Sequence, residues 1–137
     1  MTGFLLDTNV VSELRKRDRC APKVSAWAST VPPNQDFLSV LVVGELRRGA
    51  SLKRRTDPGT ADNLERWIAR LIQLYSDRIL PITLEIAYEW GRLGALRPIP
   101  PEDGLLAATA LVHRLTLVTR NTKNVEGLGI TVLNPWI

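Results

Sequence analysis

The chain has 137 residues, of which 45% are hydrophobic and 23% charged, with 9 Gly and 9 Pro. That size and mix suit one packed domain and exclude disordered, collagen-like and low-complexity classes. A net charge of +4 (18 Lys and Arg against 14 Asp and Glu) points to an acidic partner without naming one, while the single cysteine, Cys20, excludes an intrachain disulfide and suits a reducing cytoplasm.

In chain order, Met1 to Asp7 has no basic stretch ahead of an apolar one and reaches an acid early, so no secretory signal is expected. Gly3 to Leu6 reads as a buried strand, followed by a helix from about Asn9 to Arg17. Pro22 suits the first turn of a second helix through Val31, which the Val31-Pro32-Pro33-Asn34 group ends. Phe37 to Ser39 is a short strand running into a helix over Val40 to Lys53. The apolar stretch Phe37 to Gly44 falls far short of the ~20 residues that cross a bilayer, so no membrane span is expected. Asp57-Pro58 starts a long helix whose Leu64, Trp67, Ile68, Leu71, Ile72 and Tyr75 repeat at helical spacing. Ile79 to Ile82 is a strand, Thr83 caps a helix through Leu96, and Pro98, Pro100 and Pro101 break the chain before a helix from Asp103 to His113. Leu115 to Val118 and Ile130 to Leu133 complete the strands. Strands alternating with helices, without repeat or linker, predict a single α/β domain over residues 1–137. Its mostly parallel sheet of about five strands is covered by helices on both faces.

Reactive groups in such a sheet gather beyond the carboxyl ends of the strands. Asp7 directly follows the first strand, and Asn121 comes just after Leu117-Val118-Thr119. In the third helix Glu45 sits three and four positions after Val42 and Leu41, on the apolar face, with Arg47 and Arg48 directed elsewhere. Asp103 heads the buried stripe Leu106, Ala107, Ala110, Leu111 and lies at the positive end of its helix dipole. Buried carboxylates are costly, clustering three adds mutual repulsion, and a cation must answer them. No Lys or Arg recurs on those faces, whereas Mg²⁺ and Mn²⁺ accept carboxylate and water oxygens. The residues alone leave two readings open: a metal site of Asp7, Glu45 and Asp103, or separate helix caps and surface acids. Glu13 and Glu102 stay outside the set. One His and one Cys cannot build a zinc cage or a Cys-His pair, and no phosphate-cradling glycine motif is present. His113 falls about 15 Å along its helix from Asp103, near the carboxyl end.

Four segments carry a resemblance: Leu5-Leu6-Asp7-Thr8-Asn9-Val10-Val11-Ser12-Glu13-Leu14; Val43-Gly44-Glu45-Leu46-Arg47-Arg48-Gly49; Asp103-Gly104-Leu105-Leu106-Ala107-Ala108-Thr109-Ala110; and Leu117-Val118-Thr119-Arg120-Asn121 through to Asn134-Pro135-Trp136. In this order they resemble a PIN domain, and more closely the VapC and FitB-like toxins of bacterial toxin–antitoxin pairs. The resemblance implies a Mg²⁺- or Mn²⁺-dependent endoribonuclease, acting on RNA and possibly on tRNA, with Asp7, Glu45 and Asp103 as metal ligands and catalytic acids. It implies a fourth polar position at Asn121 and hydrogen bonding of a carboxylate by Thr119. Related toxins often carry an acid at the place of Asn121 or Asn124; here both are Asn, with one less negative charge. It further implies a homodimer in the cytoplasm and a small antitoxin. That partner would lie in an apolar groove near the first helices and neutralise the acids with an Arg or Lys. DNA would be contacted only through the antitoxin.

For RNA phosphates the candidates are Arg120, Arg47 and Arg48, the last two opening a basic run with Lys53, Arg54 and Arg55; the same run also reads as a solvated helix end. Trp27, Trp67, Trp90 and Trp136 are scattered and are expected to pack the core rather than stack bases. An alternative function is a catalytically weak antitoxin partner in a DNA-bound repressor complex. A phosphotransferase using Asp7 as nucleophile would need a second acid at position 9, which is Asn.

Overall fold

A computed structural model describes residues 3–137; Met1 and Thr2, which open the stretch read above as lacking a secretory signal, lie outside the described residues. The elements are β1 (Phe4–Leu6), α1 (Thr8–Leu14), a 3₁₀ turn at Arg17–Arg19, α2 (Pro22–Thr30), β2 (Asp36–Ser39), α3 (Val40–Lys53) and α4 (Pro58–Leu74). They continue with β3 (Ile79–Leu80), α5 (Leu84–Gly94), α6 (Pro101–His113), β4 (Thr116–Val118), a 3₁₀ turn at Thr122–Asn124 and β5 (Val132–Leu133). The sheet order is β3-β2-β1-β4-β5 and every adjacent pair is parallel, where the sequence reading expected only most of them to be.

The central strands are short apolar runs because helices cover both of their faces. Leu5, Leu6, Leu38, Leu117 and Val118 are all essentially inaccessible, and Leu5 stands in register with Phe37 on one side and Leu117 on the other. Helix starts follow local chemistry. Ser39 caps α3 by accepting from the Leu41 N–H at 3.1 Å, Asp57 caps α4 through the Thr60 N–H at 3.1 Å, and Thr83 caps α5 through the Ile86 N–H at 3.2 Å. Helix α1 stops at Leu14, short of the expected Arg17, where the backbone turns through a positive φ of 52°. Helix α6 begins two residues earlier than expected, with Pro101 in its first turn. A Cβ on Gly104 would meet the Trp90 indole at 3.0 Å, so α5 and α6 cross closely there, and Ala107, Ala108 and Ala110 are fully buried beneath.

This strand order sets the site. The chain builds outward from β1 through β2 to β3, then returns to the other side of β1 with β4. The connections therefore part in opposite directions at the β1/β4 pair, opening a crevice beyond the carboxyl ends of those two strands.

Candidate active site

Asp7 occupies that crevice. It follows β1 directly, its N–H donates to the Val118 carbonyl at 3.0 Å, and the residue is 7% exposed. Oδ1 accepts from the Thr8 N–H at 2.7 Å, capping α1, while Oδ2 accepts from the Thr119 hydroxyl at 2.7 Å. The Thr119 oxygen in turn accepts from the Asn121 N–H at 3.0 Å, and Asn9 Nδ2 lies 3.4 Å from both it and Asp7 Oδ2. Asn9 Oδ1 accepts from the Arg120 N–H at 3.3 Å. Neutral donors from the ends of β1 and β4 thus fix one carboxylate without cancelling its charge.

Glu45 and Asp103 complete the arrangement from the helices. Glu45, half-buried on α3, accepts from the Thr8 hydroxyl at 2.9 Å. Burial is the main cause that raises its carboxyl above the ordinary value; the Thr8 hydrogen bond opposes the rise, and the charges of Asp7, Glu102 and Asp103 add to it. Asp103, in the first turn of α6, accepts from Asn124 Nδ2 at 2.9 Å. Its carboxyl is raised by burial first, with the Asn124 bond opposing and Asp7 and Glu102 adding. Carboxylates 38 and 96 residues from Asp7 therefore feel its charge. None of the three pairs with Lys or Arg among the described residues.

The three acids do not close into a ready cage: among the described residues, no group of three His, Cys, Asp or Glu side chains stands close enough to hold an ion by itself. A hard, all-oxygen set that is spread apart and uncompensated fits a cation that retains much of its own water, the habit of Mg²⁺.

Several partners were not singled out from sequence. Thr8 and Asn9 lie in the polar Asp7-Thr8-Asn9 run that follows β1, a signal available in the chain. Asn124, rather than Asn121, touches Asp103; the Asn121 side chain is exposed and it is the residue's backbone that joins the network. The loop bearing Asn124 is pinned by Arg97, whose Nη2 donates to the carbonyls of Asn124 at 3.2 Å and Glu126 at 2.8 Å. Glu13 turns to structure instead: it accepts from the Ala21 N–H at 2.8 Å and the Lys16 ammonium at 3.0 Å, holding the approach to α2.

The basic candidates divide. Arg47 is ion-paired to Glu65, and Arg54 to Glu65 and Asp62, so two of the five basic residues in that run are spent on α4. Arg48 is exposed and forms no ion pair among the described residues. The Arg120 guanidinium stacks 4.9 Å from the centre of the Trp136 ring, beside the acidic crevice. Trp27 packs edge-on against Phe4 at 5.4 Å, and both Trp27 and Trp67 lie against the core. No helix of the described residues is long and apolar enough to cross a membrane.

Comparison with known proteins agrees with this architecture. The PIN domain family matches residues 4–126. Toxin FitB of Neisseria gonorrhoeae is 34% identical over 97% of this chain and 98% of its own length. VapC ribonuclease Y4jK of Sinorhizobium fredii is 34% identical over 97% of each chain. The solved structure of FitAB bound to an IR36 DNA fragment superimposes with a TM-score of 0.87 at 30% identity, covering 98% of this chain and 96% of that one. The chain belongs to the PIN-domain family, among relatives that include VapC ribonucleases and FitB-type toxins.

Proposed function

We propose that the protein is the toxin of a toxin–antitoxin pair and acts as a divalent-metal-dependent endoribonuclease. The observation that carries this reading is the set of three carboxylates, Asp7, Glu45 and Asp103, at the topological switch point, bonded to neutral donors and answered by no Lys or Arg among the described residues. The names of FitB and the VapC ribonuclease support it.

Asp7 and Asp103 would hold a Mg²⁺ or Mn²⁺ ion, and Glu45 would bind it or orient the attacking water. Such an ion, when bound, lowers the pKa of water and offsets negative charge on the phosphoryl oxygens. The chain's own groups do the rest. Thr119 and Asn9 keep the Asp7 oxygens in place, Thr8 aims Glu45, and Asn124 aims Asp103. Glu45, its carboxyl raised by burial, is suited to taking a proton from water as the new phosphorus–oxygen bond forms and the ribose oxygen departs. The Asn121 backbone supports Thr119, its exposed side chain remains available to water or substrate, and Arg120, stacked on Trp136, would meet a flanking phosphate.

The test is incubation of the purified chain with total tRNA, with and without Mg²⁺. Cleavage that needs the metal and disappears in Asp7→Asn supports the reading; no metal-dependent cleavage of any RNA refutes it. A second reading, a weakly catalytic partner of an antitoxin in a DNA-bound repressor complex, is favoured by the likeness to FitAB on DNA. It predicts operator binding only with the antitoxin present. A homodimer would accompany either role.

A further inference from the structure

Five arginines converge on a cleft well away from the basic residues considered above. Arg15, at the end of α1, and Arg17 and Arg19, in the 3₁₀ turn that follows, face Arg66 and Arg70 of α4 across a space of about 320 Å³. All five are exposed, and none is ion-paired among the described residues. Among the described residues no acid lines the cleft; Asp18, between Arg17 and Arg19 in the chain, is not part of its wall. Arg66 and Arg70 are four apart on one helix face, a like-charge spacing that costs the helix some stability. Uncompensated guanidinium groups on two elements suit planar, bidentate acceptors of repeated negative charge, for which nucleic-acid phosphates are the best match.

The cleft shares a wall with the approach to Glu45. Arg15 and Trp67 line it and also line a neighbouring cleft whose other wall holds Thr8 and Glu45. The Arg15 guanidinium lies 5.6 Å from the centre of the Trp67 ring, so the shared wall presents a charge and an aromatic face together. From Thr8 to Arg15 is seven residues, about 10 Å at the rise of a helix, a separation that a flexible RNA backbone spans within a few nucleotides.

We infer that Arg15, Arg17, Arg19, Arg66 and Arg70 form a docking site for the phosphate backbone of the RNA strand, positioning a segment a few nucleotides from the bond cut at Asp7, Glu45 and Asp103. This rests on the nuclease reading for its purpose but not for its test. The arginines touch no reacting group, so they act on affinity rather than on chemistry.

The experiment measures binding of a mixed-sequence single-stranded RNA to the full chain in EDTA across a salt series. Arg66→Gln/Arg70→Gln is compared with the parent and with Arg114→Gln, an exposed arginine on the far end of α6. Expected is about tenfold weaker binding in the double variant at low salt. The slope of log Kd against log salt should fall by about 0.7 for each phosphate no longer held, hence about 1.4 for the two arginines. Arg114→Gln should match the parent, and the unfolding temperature should not fall in either variant, the relief of the Arg66/Arg70 repulsion if anything raising it slightly in the double variant. With Mg²⁺ present the double variant should show a raised KM and a kcat within about twofold of the parent. An unchanged Kd and salt slope overturns the assignment even if the chain cleaves RNA. Loss of binding to an acidic polypeptide such as polyglutamate, with RNA binding intact, overturns it in favour of a protein partner. Absence of cleavage alongside arginine-dependent RNA binding would refute the nuclease reading and leave this one standing.

Discussion

The acidic crevice and the arginine cleft lie against each other and each gathers like charges, yet they are assembled by opposite means. Asp7, 7% exposed, is held between backbone ends and neutral side chains, its oxygens oriented by donors from Thr8, Thr119 and Asn9. The arginines stand on helix surfaces in water, fixed by little more than the stacking of Arg15 on Trp67 and a hydrogen bond from Arg66 to Asn63. Charges that must meet one reacting atom need geometry fixed in advance. Charges that follow a flexible polyanion need reach and tolerance of many poses.

Breaking the rigid half should have the largest effect. Asp7→Asn or Asp103→Asn is expected to lower metal-dependent RNA cleavage by about a thousandfold or more, with circular dichroism and unfolding temperature close to the parent; full activity in either purified variant would remove these residues from the site. Thr119→Val keeps the shape of the side chain but removes the donor to Asp7. Cleavage should drop about ten- to a hundredfold, the range for losing a group that orients a metal ligand. Stability should fall by about 1–3 kcal/mol, because the Asp7 oxygen is left buried without that partner. A change in KM alone, with kcat intact, would contradict this role.

Electrostatics sharpens the comparison further. Without metal, the Glu45 and Asp103 carboxyls are raised above their unfolded values, mainly by burial. Groups of this kind bind protons more tightly in the folded state. Their contribution is therefore fully present below the unfolded pKa and is lost as pH rises through the folded one. In EDTA the chain should become more stable as pH falls from neutrality into the upper carboxylate range, and Mg²⁺ should raise the unfolding temperature at neutral pH but not at the acid end. Thermal unfolding across pH with and without Mg²⁺ checks both. No metal-induced shift at any pH would show that the acids are reconciled in some other way.

The smallest effect is expected at Arg47. Its pairing with Glu65 is exposed, so Arg47→Gln should change stability by no more than about 1 kcal/mol. It should leave RNA affinity almost untouched, in contrast to Arg66→Gln/Arg70→Gln. A loss of affinity at Arg47 equal to that of the double variant would erase the distinction between paired and unpaired arginines.

Much of this was legible in the chain, for physical reasons that differ by residue. The register of helix α3, Val40–Lys53, follows from Ser39 as cap and from Val42, Leu46 and Ala50 as its buried stripe, so the inward aim of Glu45 could be read from spacing. Asp103 was legible in the same way from the buried Leu106, Ala107 and Ala110. Strand β3 is shorter than its apolar run because only Ile79 and Leu80 pair with β2, leaving Ile82 to pack without a ladder. The hydrogen bonds of Asn9 to Thr119 and of Asn124 to Asp103 join positions 110 and 21 residues apart and depend on tertiary placement. The arginine cleft was hidden for the same reason. Arg15, Arg17 and Arg19 meet Arg66 and Arg70 only because α1 and α4 share a wall, whereas in the more conspicuous run Arg47 and Arg54 are paired with acids of α4 that no local pattern reveals.

The bond between Asp7 and Thr119 also bears on how the molecule comes into being. It joins positions 112 apart, and β1 has its second side covered only when β4 pairs with it. During synthesis Asp7 therefore precedes its Thr119 anchor by more than a hundred residues, and a product truncated ahead of Thr119 lacks the donor that fixes Asp7 from the β4 side. For a protein proposed to cut RNA, completing the crevice is thus a long-range folding event, tied to the pairing of β4 with β1.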